Sequence, residues 1–271
     1  MAPQGRKIAI VGGAGTVGSV TLPALLSKNI HTITAISRGS YDNEDFLLSA
    51  LQDQDILLMQ LGRLAMDTQD VLIRAAVKTG VKYILPTEFG SDIEALQMVK
   101  DQPPLWGKAE RRKLVEELGG LWGIDIKARK ATLDSGGNTK ANTSALQRVG
   151  EAVAELLSLP EEELAVYKNK AFYVSSFYIT QREMLESVQR VTGTTDKGWI
   201  IEDKEIAEVA KESDEELRKG NMMAMIPKFY SAHFREGYGG DFNHKVDLDR
   251  FGLVKEDIDT VIQGIIASGY S

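Results

Sequence analysis

Cysteine is absent from the 271-residue chain. That excludes disulfides, CxxC redox chemistry, thiolate catalysis and cysteine-ligated zinc, and it fits a reducing compartment. Histidine is nearly as scarce, with His31, His233 and His244 the only three. They form no HExxH pattern, and no Asp/Glu/His cluster has metal-ligand spacing, so no metal site is expected. A G-x-S-x-G nucleophile elbow is also missing. No apolar run is long enough to span a bilayer. The stretch Met1–Lys7 leads into a strand without a signal-peptide core, so a cytoplasmic location is the expectation. Positive charge is in deficit: 32 Lys and Arg against 39 Asp and Glu give a formal charge of −7. Phosphate binding over a broad surface needs the opposite sign, so nucleic acid is not an expected partner. Adhesion to an anionic membrane has no support either. No feature sets an oligomeric state.

The chain is 43% hydrophobic and 26% charged, the balance of a folded globular protein with a core. Its most informative segment is Gly12-Gly13-Ala14-Gly15-Thr16-Val17-Gly18. The apolar run Ile8–Val11 precedes it and the apolar stretch Val20–Leu26 follows, an order that reads as strand, glycine turn and helix. Such a turn leaves backbone N–H groups pointed at one spot, and the helix dipole adds positive potential there, which suits a pyrophosphate. In this reading Gly12 permits the tight turn, Gly15 admits the phosphates and Gly18 lets the helix pack on the strand. An ordinary strand-to-helix turn with incidental glycines is the bland alternative.

Alternation continues through the first half. Thr32–Ile36, Asp55–Leu61 and Val81–Leu85 read as strands. Asp42–Leu51 reads as a helix with Phe46, Leu47, Ala50 and Leu51 on one face. A second helix, capped by Thr68 or Asp70, carries Val71, Leu72, Ala75 and Ala76 and stops at Gly80. The pattern implies an α/β, Rossmann-type doubly wound parallel sheet. A helix over about Pro104–Leu118 follows. The second half differs in texture and reads as a smaller α+β substrate region. Ala131–Leu133 and Ala141–Thr143 flank Gly136-Gly137-Asn138, a hairpin-like pattern. Helices are expected over Val149–Leu159, from a Thr180 cap to Gly193, over Lys204–Lys219 and over Glu256–Ala267. Phe172–Val174 is a strand candidate. The expected division is 1–125, a dinucleotide-binding domain, and 126–271, a smaller substrate-binding region packed against it.

The end of the second strand distinguishes the two nicotinamide cofactors. An acid there binds the ribose 2′-OH of NAD, whereas an arginine accommodates the 2′-phosphate of NADP. This chain has Ser37-Arg38 and no acid. Arg38 offers a bidentate fork to phosphate; a solvated strand-end arginine is the alternative. NADP(H) is the expected cofactor.

Taken together, these residues resemble the NmrA-like group of atypical short-chain dehydrogenases, and within it the fungal isoflavone-reductase-like branch. Gly12–Gly18 stands at the branch's dinucleotide loop and Arg38 at its NADP-selecting arginine. Leu85-Pro86-Thr87-Glu88-Phe89-Gly90 resembles its P-S-E-F-G segment. Lys108, with Arg111 or Arg112 after it, resembles the helix that carries the catalytic lysine. Tyr167–Lys170 and Thr180-Gln181-Arg182 resemble the substrate domain. Two stretches depart from the pattern. Between Arg38 and Tyr41 the family has a further helix and strand, and after Gly120 a further strand and pocket loop. Both are missing here, either as segments left out of this sequence or as a true shortening, which would leave the sheet two strands short.

The resemblance implies an NADPH-dependent reductase of a small aromatic, phenylpropanoid or polyketide-like metabolite of secondary metabolism. Developing negative charge on the substrate needs a nearby acid. No tyrosine stands four residues before Lys108, so Lys108 would act alone, holding the nicotinamide ribose and serving as general acid. A solvated helix lysine is its alternative. Thr87 and Phe89, at the carboxyl end of a strand, are candidates to bond and flank the cofactor; a strand-terminal turn is theirs. Tyr230, His233 and Phe234, with Tyr238-Gly239-Gly240 after them, form an aromatic, flexible stretch suited to a flat ligand, or else core packing. A competing class is a non-catalytic NADP(H) sensor that regulates a protein partner. A third reading, a degenerate relative with no ligand, follows from the missing strands.

Overall fold

The structure, a computed structural model, describes residues 3–37, 39, 41, 43–61, 68–87, 89 and 120–268. They form two units that interleave along the chain. The first holds the described residues up to 89, with Ala145–Val174 and Asp247–Val254; the second holds those from 120 to Ser144, Ser175–Val246 and from Lys255 onward.

In the first unit β1 (Lys7–Val11), β2 (Thr32–Ile36), β3 (Ile56–Met59) and β4 (Tyr83–Leu85) form a four-stranded sheet in the order β2-β1-β3-β4. All three pairings are parallel. Side chains alternate between the faces of a strand, and this sheet is buried on both. Ile8, Ile10, Ile56 and Leu58 pack with Leu25 of α1 (Gly18–Ser27) and with Ala152, Val153, Leu156 and Leu157 of α4 (Leu146–Ser158). Ala9, Val11, Leu57 and Met59 pack with Leu47 and Leu51 of α2 (Glu44–Leu51) and with Leu72, Ala75 and Ala76 of α3 (Gln69–Lys78). Each fully buried side chain of this size stabilises the fold by about 1.5–3 kcal/mol. The return of the chain as α4 completes the first face. It lies backbone to backbone on α1, because a Cβ at Gly150 would stand 2.6 Å from the Val20 carbonyl oxygen.

The strand order places a topological switch between β1 and β3, where open α/β sheets bind ligands at their carboxyl ends. It corresponds to the 2-1-4-5 part of the doubly wound order 3-2-1-4-5-6. Beyond β2 no further strand is present among the described residues. Phe46 corrects an expectation: it is 42% exposed while Leu47 and Leu51 are fully buried. The core takes the pair one turn apart and leaves Phe46 on the helix's outer flank.

The second unit contains a four-stranded sheet in the order β10-β7-β6-β5, from β5 (Gly120–Leu121), β6 (Ile124–Asp125), β7 (Lys130–Asp134) and β10 (Ile200–Lys204). A two-stranded sheet pairs β8 (Ala141–Thr143) with β9 (Phe177–Ile179). Its helices are α6 (Gln181–Thr192), α7 (Ile206–Arg218), α8 (Met225–His233) and α9 (Ile258–Ala267), and the short α5 (Glu161–Leu164) belongs to the first unit. The expected 131–143 hairpin does not form. β7 pairs with β6 and β10, and β8 with β9. Left-handed backbone at Ser135, Gly136 and Gly137 (φ 48°, 79° and 65°) turns the chain out of the first sheet instead of folding it back. Phe172–Val174 is not a strand; Phe172 packs its ring against Tyr167 and Phe251 at centroid distances of 6.4 and 5.9 Å, and the strand lies at Phe177–Ile179. Phe229–His233 is helical rather than flexible, because its aromatic rings have a core to fill. The expected Pro104–Leu118 helix lies outside the described residues.

Candidate functional site

The glycine loop crosses the switch point on top of β3. Gly12 adopts φ +82°, and a Cβ there would sit 2.1 Å from the Gln60 carbonyl oxygen. At Gly18 a Cβ would meet the Gly12 carbonyl oxygen at 2.2 Å, so the helix can start only against bare backbone. The Gly15 amide donates to the Gly12 carbonyl at 2.9 Å, and Gly15 itself has room for a close neighbour on its open side. The amides of Ser19, Val20 and Thr21 bond to the carbonyls of Gly15 and Val17. Those of Val17 and Gly18 precede the first intrahelical bond and have no acceptor within the helix. Val17 cannot cap, and the first turn holds no acid. Asn43 caps α2, Thr180 and Glu183 form a capping box on α6, and Asp257 caps α9, whereas α4 and α8, like α1, have neither a side-chain cap nor a first-turn acid. The α1 terminus thus keeps its positive potential for an external anion.

A strut behind the loop was not foreseen from sequence. Buried Gln60 donates through Nε2 to Thr21 Oγ1 at 2.8 Å, and Thr21 donates to the Val17 carbonyl at 2.8 Å. A glutamine closing an otherwise apolar strand was the available signal. Thr87 is also buried: its Oγ1 accepts the Leu61 amide at 3.0 Å and its own amide donates to Gln69 Oε1 at 2.9 Å. It pins the ends of β3 and β4 together and keeps its hydroxyl proton for a further acceptor. Phe89 packs, partly buried, against the core on the α1 face. Gly13, Ala14, Thr16 and Val17 lie in the turn between β1 and α1. Arg38, Glu88 and Lys108 lie outside the described residues.

In the second unit Tyr230, His233 and Phe234 fall on and just after α8. Phe234 is fully buried and His233 is 8% exposed. Phe229 stacks on His233 at 5.5 Å and 18°, and Tyr230 stacks on Phe234 at 5.8 Å. The edge of Trp122 meets both His233 and Phe234, at 5.9 and 5.0 Å. Burial pushes His233 down to about 4, partly opposed by a bond to the Asn142 backbone, so its ring is neutral at pH 7. Burial likewise raises the Tyr230 phenol, against a backbone bond from Trp122. The three residues form an aromatic wall with one neutral imidazole. Nearby, burial lifts Asp134 to about 6. Gln181 opposes that shift and ties α6 to β7 by accepting the Asp134 amide at 2.8 Å.

No family model matches the chain. Oxidoreductase aprR of Aspergillus flavus is 24% identical over 301 aligned residues, which take in 96% of this chain and 98% of that one. The crystal structure of an isoflavone reductase superposes with a TM-score of 0.71 at 17% identity, covering 97% of this chain and 100% of that one. The leucoanthocyanidin reductase of Vitis vinifera, solved as a binary complex with NADPH, gives 0.70 at 17% identity, with 96% and 99% covered. Both likenesses in structure are ones of fold.

Proposed function

We propose that this chain, which is similar to isoflavone-reductase-like oxidoreductases, is an NADPH-dependent reductase of a small aromatic, phenylpropanoid or polyketide-like metabolite. The observation that carries this reading is the Gly12–Gly18 loop, laid across the β1/β3 switch point into a helix end with neither a side-chain cap nor an acid. The residues fit NADPH. The loop from Gly12 to Gly18 holds the pyrophosphate on backbone amides. Arg38 takes the 2′-phosphate. Thr87 offers its remaining hydroxyl proton, and Phe89 lies beside it in the chain as a flat neighbour for the nicotinamide. When bound, the cofactor supplies a hydride to an electrophilic carbon. Lys108 orients the nicotinamide ribose and delivers a proton to the charge that develops on the substrate. Tyr230, His233 and Phe234 provide the substrate's aromatic wall. The cytoplasm is the compartment this chemistry fits.

A non-catalytic NADP(H) sensor is the second reading, since a sensor needs the close-packed glycine loop seen here but no proton donor. NADPH oxidation over a panel of enones, quinones and phenylpropanoids separates the two. We expect turnover with at least one class, reduced about 100-fold or more in Lys108→Ala. NADPH binding without turnover across the panel would favour the sensor. Unchanged turnover in Lys108→Ala would sink the assignment of that lysine.

A further inference from the structure

Gln60 holds the glycine loop twice over. Its backbone amide donates to the Val11 carbonyl at 2.8 Å, and its own carbonyl oxygen lies against Gly12, where a Cβ would stand 2.1 Å away. Its side chain reaches past the loop into α1, where Nε2 donates to Thr21 Oγ1 at 2.8 Å. Thr21 has one hydroxyl proton, which goes to the Val17 carbonyl at 2.8 Å, so Gln60 can meet Thr21 only as a donor. The Val17 carbonyl also accepts the Thr21 amide at 3.0 Å and the Val20 amide at 3.3 Å. An oxygen with three donors is pinned. Val17 C=O and Gly18 N–H belong to one planar trans peptide unit and point in opposite directions. Fixing the carbonyl therefore aims the Gly18 amide, which has no acceptor within the helix, out of the α1 terminus.

The strut is dry. Thr21 is fully buried and Gln60 is 5% exposed. Helix α4 seals it: Gly150 stands so close to α1 that a Cβ there would lie 3.0 Å from the Thr21 amide nitrogen. Gln60 Oε1 is buried without a hydrogen-bond partner among the described residues, a penalty that an apolar side chain of the same length avoids. Stability alone would favour an apolar residue there; what glutamine adds is the donor. We propose that Gln60 is a positioning residue for the nucleotide: through Thr21 and the Val17 carbonyl it aims the Gly18 amide at the pyrophosphate. The role rests on the NADP(H) reading of the loop, lies wholly within the first unit, and concerns binding rather than the hydride or proton steps.

The test is calorimetric titration of NADPH into the full chain and its strut variants. Gln60→Met and Thr21→Val each break the strut at nearly constant volume. Each should weaken NADPH binding about tenfold, the effect of losing one bond that aims a phosphate donor. Combined, they should still weaken it only about tenfold, because both act through one chain of bonds, whereas independent losses would multiply to about 100-fold. Thr21→Ser keeps the hydroxyl and loses a buried methyl, and should bind within about threefold of the unaltered chain. A role in packing alone predicts the reverse order, Thr21→Ser weaker than Thr21→Val. That reverse order, or undiminished affinity in Gln60→Met, would overturn the proposal. The Thr21 pair decides the matter even if Gln60→Met does not fold. No binding by the unaltered chain overturns the NADP(H) reading and this role together; equal binding by the unaltered chain and Thr21→Val overturns this role alone.

Discussion

The glycine loop of the first unit and the aromatic wall of the second are built to opposite rules. In the loop, side chains are removed so that backbone can approach backbone: a single Cβ at Gly12 or Gly18 would meet a carbonyl oxygen at 2.1 or 2.2 Å. Around His233, large side chains fill the space, and two polar atoms are left without partners. The loop is one contiguous run, closed against the Gln60 carbonyl at the end of β3. The wall's chemistry is assembled from Trp122, Asn142 and α8, which are far apart in sequence. A backbone-built site tolerates almost no added atoms, whereas a side-chain-built site is sensitive to lost ones.

That contrast can be broken by substitution. Phe234→Ala removes a fully buried ring and should cost about 3–5 kcal/mol, measured by denaturant unfolding; a loss under about 1 kcal/mol would mean the wall is not the core it looks to be. Gly12→Ala adds one carbon in the first unit and should cost about 2–4 kcal/mol while abolishing NADPH binding. Gly13 is the control, because a Cβ there would meet its neighbours at 3.6 Å or more; Gly13→Ala should stay within roughly 0.5 kcal/mol. If Gly12→Ala and Gly13→Ala behave alike, close backbone approach is not what shapes the loop.

Acid sharpens the comparison within the second unit. His233 is held down at about 4 against an ordinary 6.5. Its contribution is therefore complete above pH 6.5 and is lost as pH falls through 4, on the order of 2–3 kcal/mol. Asp134 is raised from 3.8 to about 6, so its contribution is complete below about 4 and is lost as pH rises through 6. Between pH 4 and 6 the two slopes oppose each other. His233→Phe should uncover the Asp134 slope, with stability falling as pH rises across that interval. A stability still rising with pH there would contradict the His233 assignment. The smallest effect belongs to Asp259, which Arg190 and Ser187 hold at about 2 on the surface between α6 and α9. Its contribution is lost only as pH falls from 4 towards 2, and salt should weaken it.

Legibility followed the same division. Strand β2 and the capped helix α6 stand where periodicity and capping residues put them, because both signals are local. The core of the first unit was readable from the apolar runs Ile8–Val11 and Ile56–Met59. The 131–143 hairpin was misread because strand-like composition does not say which strand is the partner, and left-handed backbone at 135–137 sends β8 to β9 instead. Strand β10 went unseen because three of its five residues, Glu202, Asp203 and Lys204, are charged. Within the loop the three spaced glycines were sufficient. Gln60 was signalled only as a polar end to an apolar strand and Asn142 by nothing; their roles appear where Thr21 and Phe242, from distant elements, reach them.

The central claim is that the glycine loop is an NADP(H) site, and calorimetric titration of the full chain with NADPH and NADH tests it directly. The account predicts saturable binding of NADPH, NADH weaker by roughly tenfold or more through loss of the contact between Arg38 and the 2′-phosphate, and no heat from either in Gly12→Ala. Absence of NADPH binding by the unaltered chain, or equal affinity for the two nucleotides, would contradict it.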